Sequence, residues 1–377
     1  MGMVFSSRRA FLKASAISGA SLAVARLPAV AETQHAPDGG VPLIHVTDLF
    51  HPHGDPDDHF DLAVTYALTQ RGALDLRGVV IDYPPDFRPG DPAVVAVAQM
   101  NRLTGLSVPV AIGTSKRLSH RKDALPTAPI QEMAAVRFIT DQLRASARPV
   151  ALACVGSAAD IIVAALREPA LFKDKCSGVY LNSGSAHDNP AKPEQREFNV
   201  NLDPAAYAAM FDLPCPLYWF PCWHTTEMRQ SGASGSFYWL PHREVLSGIS
   251  AGLANYFAYM FEKSANPKWL RAMNALPPAA SWEKILGDKR GMWSTASQFA
   301  AAGLTVTRDG EIASANDAGA AAVFKLVPVD VSCADDGRTI WKPVEQATGR
   351  WMLAVTDVAR YPAAMTRAIG TLFKGFA

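Results

Sequence analysis

Val46-Thr47-Asp48-Leu49-Phe50-His51-Pro52-His53-Gly54-Asp55-Pro56-Asp57-Asp58-His59-Phe60-Asp61 is the stretch that decides the fold. A β-branched run ends at Thr47, and five acids and three histidines follow it. Beyond Asp57 the apolar residues recur at helical spacing, with Phe60, Val64, Ala67 and Leu68 at i, i+4, i+7 and i+8, one apolar face of a helix. A strand turning into a helix is where α/β folds build their sites. The backbone dipole favours Asp57 and Asp58 at a helix start by about 0.3–1 kcal/mol each. Adjacent carboxylates also repel, and a cation resolves that conflict; oxygen-rich clusters suit hard ions such as Ca²⁺ or Mg²⁺. Helix capping explains one or two of these acids but not all five. Each histidine fits an ordinary hydrogen-bonded role as well as a ligand role.

Outward from the elbow, short apolar runs alternate with longer helical ones. Strands are expected at Pro42–Thr47, Leu74–Asp82, Val108–Gly113, Pro149–Val155, Gly178–Asn182 and Pro216–Phe220. Helices are expected at Asp57–Gln70, Pro92–Leu103, Ile130–Ala145, Ala158–Leu166 and Pro204–Phe211. This alternation predicts an α/β fold with a doubly wound, mainly parallel sheet. Its ligand site belongs beyond the carboxyl ends of the strands. After about residue 222 the alternation fades. Helical patterns remain at His242–Lys263 and Trp293–Ala302, and strand patterns at Val323–Val331 and Trp351–Val358. Residues 32–377 read as one domain, with polar stretches at Glu32–Gly40 and Asp188–Gln195.

The chain has 377 residues, 49% of them hydrophobic, and 36 basic against 35 acidic side chains. Such a composition buries a full core and excludes a disordered chain. A formal charge of +1 gives no basic face for nucleic acid, and no apolar run reaches the length of a membrane span. The expected partner is a small molecule, and a homo-oligomer stays open.

Residues 1–31 contain Ser6-Ser7-Arg8-Arg9-Ala10-Phe11-Leu12-Lys13, a short apolar middle and Leu27-Pro28-Ala29-Val30-Ala31. This resembles a twin-arginine export signal with an A-x-A-like cleavage site and implies a periplasmic or secreted protein. Its four basic residues have no acid among them, and their removal leaves 32 basic against 35 acidic side chains. Five cysteines would then sit in an oxidising compartment. Cys154 and Cys176 read as buried thiols, while Cys215 and Cys222 stand close enough in sequence to pair.

The second informative stretch is Arg196-Glu197-Phe198-Asn199-Val200-Asn201-Leu202-Asp203-Pro204-Ala205-Ala206. A carboxylate and an amide two residues apart can grip vicinal hydroxyls as acceptor and donor. With the elbow, this stretch resembles the nucleoside hydrolase superfamily, the inosine-uridine preferring type. That family begins with D-x-D-P-G-x-D-D after its first strand and carries E-F-N-…-D-P-x-A-A downstream. The resemblance spans roughly Leu43–Trp223 and implies a metal-dependent hydrolase of N-glycosidic bonds in ribonucleosides or related ribosides. It assigns Asp48, Asp57 and Asp58 to Ca²⁺, Asp48 also as the base, and Glu197 and Asn199 to the sugar. Asn182, in Asn182-Ser183-Gly184, falls where the family has a substrate-side strand end. An insertion around Phe50–His53 leaves open whether Asp48 or Asp55 matches the strand-end aspartate. His51-Pro52-His53-Gly54-Asp55 also begins the H-x-H-x-D-H pattern of metallo-β-lactamase-like hydrolases, but Pro56 stands where its last histidine belongs.

One departure matters most. The family carries His-Asp near a C-terminal helix, as leaving-group acid and metal ligand, and here the segment Arg290-Gly291-Met292-Trp293-Ser294-Thr295-Ala296 has neither. His224 is the candidate acid in its place, and Trp219, Trp223 and Tyr238 are candidates for stacking on the leaving group. The missing pair keeps a second class open: a catalytically impaired periplasmic protein that binds sugars or nucleosides.

Overall fold

The alternation of β1 (Val41–Thr47) sends Leu43 into one apolar cluster and Ile44 and Val46 into another, so the strand is buried on both faces. The same division holds for β2 (Leu74–Ile81) and, after β3 (Val110–Ile112), for β4 (Val150–Cys154). Apolar residues on both faces mark a parallel sheet covered by helices. The sheet continues through β5 (Cys176–Asn182), β6 (Leu217–Phe220), β7 (Phe324–Cys333), β8 (Thr339–Pro343) and β9 (Arg350–Val355). Its order is β8-β7-β9-β6-β5-β4-β1-β2-β3. Strands β1 to β6 and β9 run parallel, and β7 lies antiparallel to both β9 and β8. The computed structural model describes residues 39–51, 56–83, 90–187, 196–225 and 227–376. The export leader, Asp55 and the loop Asp188–Gln195 fall outside these residues.

The expected α/β, doubly wound sheet is the observed one. The chain winds outward through β1, β2 and β3, then returns to start β4, β5 and β6 on the other side of β1. A crevice opens where the winding reverses, between β1 and β4, where the Val155 amide donates to the Val46 carbonyl at 2.9 Å. The connecting helices are α1 (Asp57–Gln70), α2 (Val94–Thr104), α3 (Ala134–Ala145) and α4 (Ala159–Arg167). After β5 come α5 (Phe198–Leu202) and α6 (Pro204–Met210); α7 (Thr295–Ala301) and α8 (Tyr361–Lys374) follow later.

Helix α1 departs from the one-faced pattern, because every residue from Asp57 to Thr69 is buried. Its apolar side packs Phe60 against Phe257 (ring centroids 4.5 Å apart) and Phe373. Truncating Phe60 to alanine would cost about 3–5 kcal/mol. Its other side carries Asp57, Asp61 and Thr65, which bond to side chains of residues 290–298. The expected helix His242–Lys263 is broken into His242–Leu246 and Ala251–Phe261. Gly248 between them takes a positive φ of 76°, a turn that favours glycine. Strand β8 escaped the sequence reading. It is an edge strand with Ile340 60% exposed, and Lys342 and Pro343 blunt it as edge strands require.

All five cysteines are buried and none is in a disulfide among the described residues, so the suggested Cys215–Cys222 pairing is corrected. The two flank β6 at opposite ends, and a strand rises about 3.3 Å per residue, far beyond the reach of a disulfide. Cys215 instead shares a hydrogen bond with Cys176. No helix of the described residues is long and apolar enough to cross a membrane.

Candidate functional site

Beyond the carboxyl ends of β1, β4, β5 and β6 lies a cleft of about 420 Å³. One wall is carboxylate. The Oδ2 of Asp58 accepts the Thr47 hydroxyl at 2.9 Å and the Asp48 amide at 3.0 Å, tying the first turn of α1 to the end of β1. Asp57 Oδ1 lies 3.3 Å from Nη2 of Arg290, an ion pair with side chains 7% and 28% exposed. One turn further along α1, the Ser294 hydroxyl donates to Asp61, and Thr65 donates to Gln298 Oε1 at 3.1 Å. The segment 290–298 is therefore bonded to one stripe of α1, read at every fourth residue.

A second row of acids lies behind this wall. Asp82, at the end of β2, accepts the Ser157 amide, and Asp160 accepts the Thr114 amide at 3.0 Å. A Cβ on Gly156 would collide with both Asp82 and Asp48, so these two acids approach each other across a position only glycine can fill. Burial pushes the Asp160 carboxyl up to about 7, and the neighbouring charges of Asp82, Glu132 and Asp203 add to it, against the Thr114 amide.

The opposite wall is mostly amide. Glu197 is the N-cap of α5 and accepts from the backbone of Asn199 and Val200. Its Oε2 also receives the Gly184 amide at 2.8 Å and the Ser183 hydroxyl, whereas among the described residues Oε1 receives only the Asn199 amide, at 3.0 Å. A carboxylate oxygen has room for a further donor beyond one. Burial raises the Glu197 carboxyl above its ordinary range, and these donors pull it back. Asn199 donates both amide hydrogens, to the carbonyls of Val155 at 2.9 Å and Asn182 at 3.1 Å, bridging β4 and β5. The Asn182 amide donates to the Phe220 carbonyl at 2.7 Å and to Ser236 Oγ. Its own Oδ1 is buried and accepts nothing from the described residues, and an acceptor in that state calls for a donor. Asp203 is a cap: its side chain accepts the Ala206 amide at the start of α6, with Pro204 in the first turn, a favoured arrangement.

Asp57, Asp58, Asn182, Glu197 and Asn199 all line this one cleft. Asp48 donates its amide to Asp58 and is not among the residues lining the cleft. His224 is also outside the lining; a Cβ on Gly232 would collide with its ring and one on Gly235 with its backbone, and its Nδ1 accepts the Ser234 amide. Of the aromatic candidates, Trp223 lines the cleft with Trp293 and Phe198, while Trp219 and Tyr238 are core.

The sequence reading missed Arg290. Only the absence of His-Asp marked its segment, and nothing local ties residue 290 to residue 57. Arg196 also lines the cleft, and its Nε makes no hydrogen bond to the described residues. Among the described residues, no group of three or more His, Cys, Asp or Glu side chains is arranged to hold a metal ion. Asp57 faces a guanidinium instead, so this described donor set does not fit a divalent cation.

The family model described as inosine-uridine preferring nucleoside hydrolase matches residues 54–362. Among solved structures, the chain is similar to the purine-preferring ribonucleoside hydrolase from Gardnerella vaginalis, at 15% identity over 88% of this chain and 99% of that one, with a TM-score of 0.50. It is similar to the type III effector protein XopQ complexed with adenosine diphosphate ribose, at 16% identity over 90% and 95%, TM-score 0.52. It is similar also to the plant nucleoside hydrolase PpNRh1, at 14% identity over 88% and 99%, TM-score 0.51. At these identities the likeness is one of fold. No curated protein matches the chain.

Proposed function

This chain belongs to the inosine-uridine preferring nucleoside hydrolase family, and from that premise we propose that its cleft binds the ribose of a ribonucleoside or related riboside and hydrolyses the N-glycosidic bond. The observation that carries this is the convergence of Asp57, Asp58, Asn182, Glu197 and Asn199, distant in sequence, on one cavity. The vacant acceptor of Asn182 and the remaining lone pair on Glu197 Oε1 suit two sugar hydroxyls, which are donors.

In this reaction water attacks the anomeric carbon as the bond to the leaving nitrogen breaks. The hydroxyl stays on the sugar, and the proton ends on the departing base. An elbow carboxylate holds that proton in between; the resemblance gives the role to Asp48, one hydrogen bond behind Asp58. Fixed carboxylates also favour positive charge as it develops on the sugar ring. The resemblance implies a metal, but the ion pair with Arg290 already engages Asp57. His224 is held against Gly232 and Gly235, outside the cleft lining, and so does not reach a leaving group there. Trp223, Trp293 and Phe198 would form the wall beside the leaving group. The proposal includes export by the twin-arginine route, carried by Arg8-Arg9 and the leader after them.

A second reading has its own observation: Arg290 and Ser294 stand in the segment where the family carries His-Asp. On that reading the protein binds ribosides without turning them over. A panel of nucleosides and p-nitrophenyl riboside, assayed for released base or phenol with and without Ca²⁺, separates the two. Release from any member supports the hydrolase; tight binding with no release from every member leaves only the binding protein.

A further inference from the structure

The segment 289–292 is a short strand paired antiparallel with Tyr238–Pro241, and this pairing fixes Arg290 over the start of α1. Its guanidinium lies 3.3 Å from Asp57 in a cleft that both residues line. The neighbouring acid of α1, Asp58, takes its donors from the end of β1, and Asp61 takes the Ser294 hydroxyl. Each acid in the first turns of α1 thus answers to a named donor of the protein itself. A metal site would need the reverse, several carboxylates left to converge on one point. A guanidinium and a divalent ion on the same carboxylate would also repel each other.

We propose that Arg290 is the resident cation of this cleft. Its charge holds and orients the Asp57 carboxylate, and its guanidinium also donates to a sugar oxygen, so the cleft takes up ribosides without a divalent metal. Arginine suits the role because it stays charged and presents several donors in a rigid fork. The inference rests on the riboside reading for its ligand but not for its metal arm.

The test uses the full mature protein, stripped with EDTA and then titrated with CaCl₂ alone. Two quantities are read: bound calcium per chain, and the shift in Tm. Riboside binding is measured by calorimetry on the same samples and on Arg290→Gln and Arg290→Lys. The expected wild type binds less than one tenth of a calcium per chain, shows no Tm shift, and keeps its riboside Kd within twofold after stripping. Arg290→Gln weakens riboside binding at least tenfold, and Arg290→Lys recovers part of it because the charge returns without the fork. Stoichiometric calcium on the wild type, or riboside binding lost on stripping and restored by CaCl₂, overturns the proposal. Unchanged riboside affinity in folded Arg290→Gln overturns it as well. If no riboside binds under any condition, the functional reading fails, while the calcium measurement still decides whether Arg290 occupies a metal's place.

Discussion

The two walls of the cleft are built in opposite ways. The amide wall organises itself locally: Glu197 caps the helix that follows it, and Asn199, two residues on, hooks onto the carbonyls of Val155 and Asn182. The carboxylate wall depends on distant chain, with Asp57 held by Arg290 and Asp61 by Ser294, each 233 residues away. The amide wall keeps an acceptor vacant in Asn182 Oδ1, whereas the carboxylate wall is charged and crowded. A ligand that donates from several hydroxyls and develops positive charge while reacting matches both walls at once. The first wall positions such a ligand, and the second responds to its change of charge.

If the carboxylate wall carries the chemistry, it should be the more sensitive. Asp58→Ala leaves the Thr47 hydroxyl and the Asp48 amide without their acceptor. Unfolding in urea should show a loss of about 2–4 kcal/mol, and turnover should fall by roughly 10²-fold or more. Turnover near wild type in a folded Asp58→Ala protein would break the distinction between the walls. For the amide wall, Asn182→Ala should act on binding, raising KM about tenfold with a much smaller change in kcat. An equal fall in kcat would move Asn182 to the reacting side. Glu197→Gln keeps an acceptor but places a donor against the amides of Gly184 and Val200. Its expected cost is about 1–2 kcal/mol, visible in the urea midpoint.

The smallest effect concerns the second row of acids. Asp160 titrates near 7 in the folded chain because of burial, but in the ordinary carboxylate range when unfolded. Between those values the folded state binds the extra proton, so its contribution falls as pH rises from about 4 to about 7 and is level above. Asp160→Asn should flatten that part of the stability profile while retaining an acceptor for the Thr114 amide. An unchanged slope would show that Asp160 is ionised throughout.

This contrast also explains what could be read from the sequence. The parallel sheet, the elbow and the E-F-N stretch were legible because each is written in neighbouring residues: β-branched runs, helical spacing, a cap and its helix. Asp57 and Asp58 stand where the reading puts them because the helix start is local. Arg290 was invisible, since its partner is set by the ribbon 238–241 with 289–292 and by the packing of α1, neither of which has a short-range signature. Asp82 and Asp160 were missed for the same reason: one follows β2 and the other stands in the first turn of α4, and they meet only when β1, β2 and β4 stand side by side. The break at Gly248 shows the converse. Apolar spacing alone carried a helix through a residue whose backbone turns left-handed.

A crystal structure of the protein with a slowly hydrolysed riboside tests the central claim most directly. The account predicts ribose in the cleft, with one hydroxyl within hydrogen-bond distance of Asn182 Oδ1, about 3.2 Å or less, and the anomeric carbon on the side of Asp57 and Asp58. Ribose bound elsewhere on the molecule, or a cleft empty at saturating riboside, would contradict it.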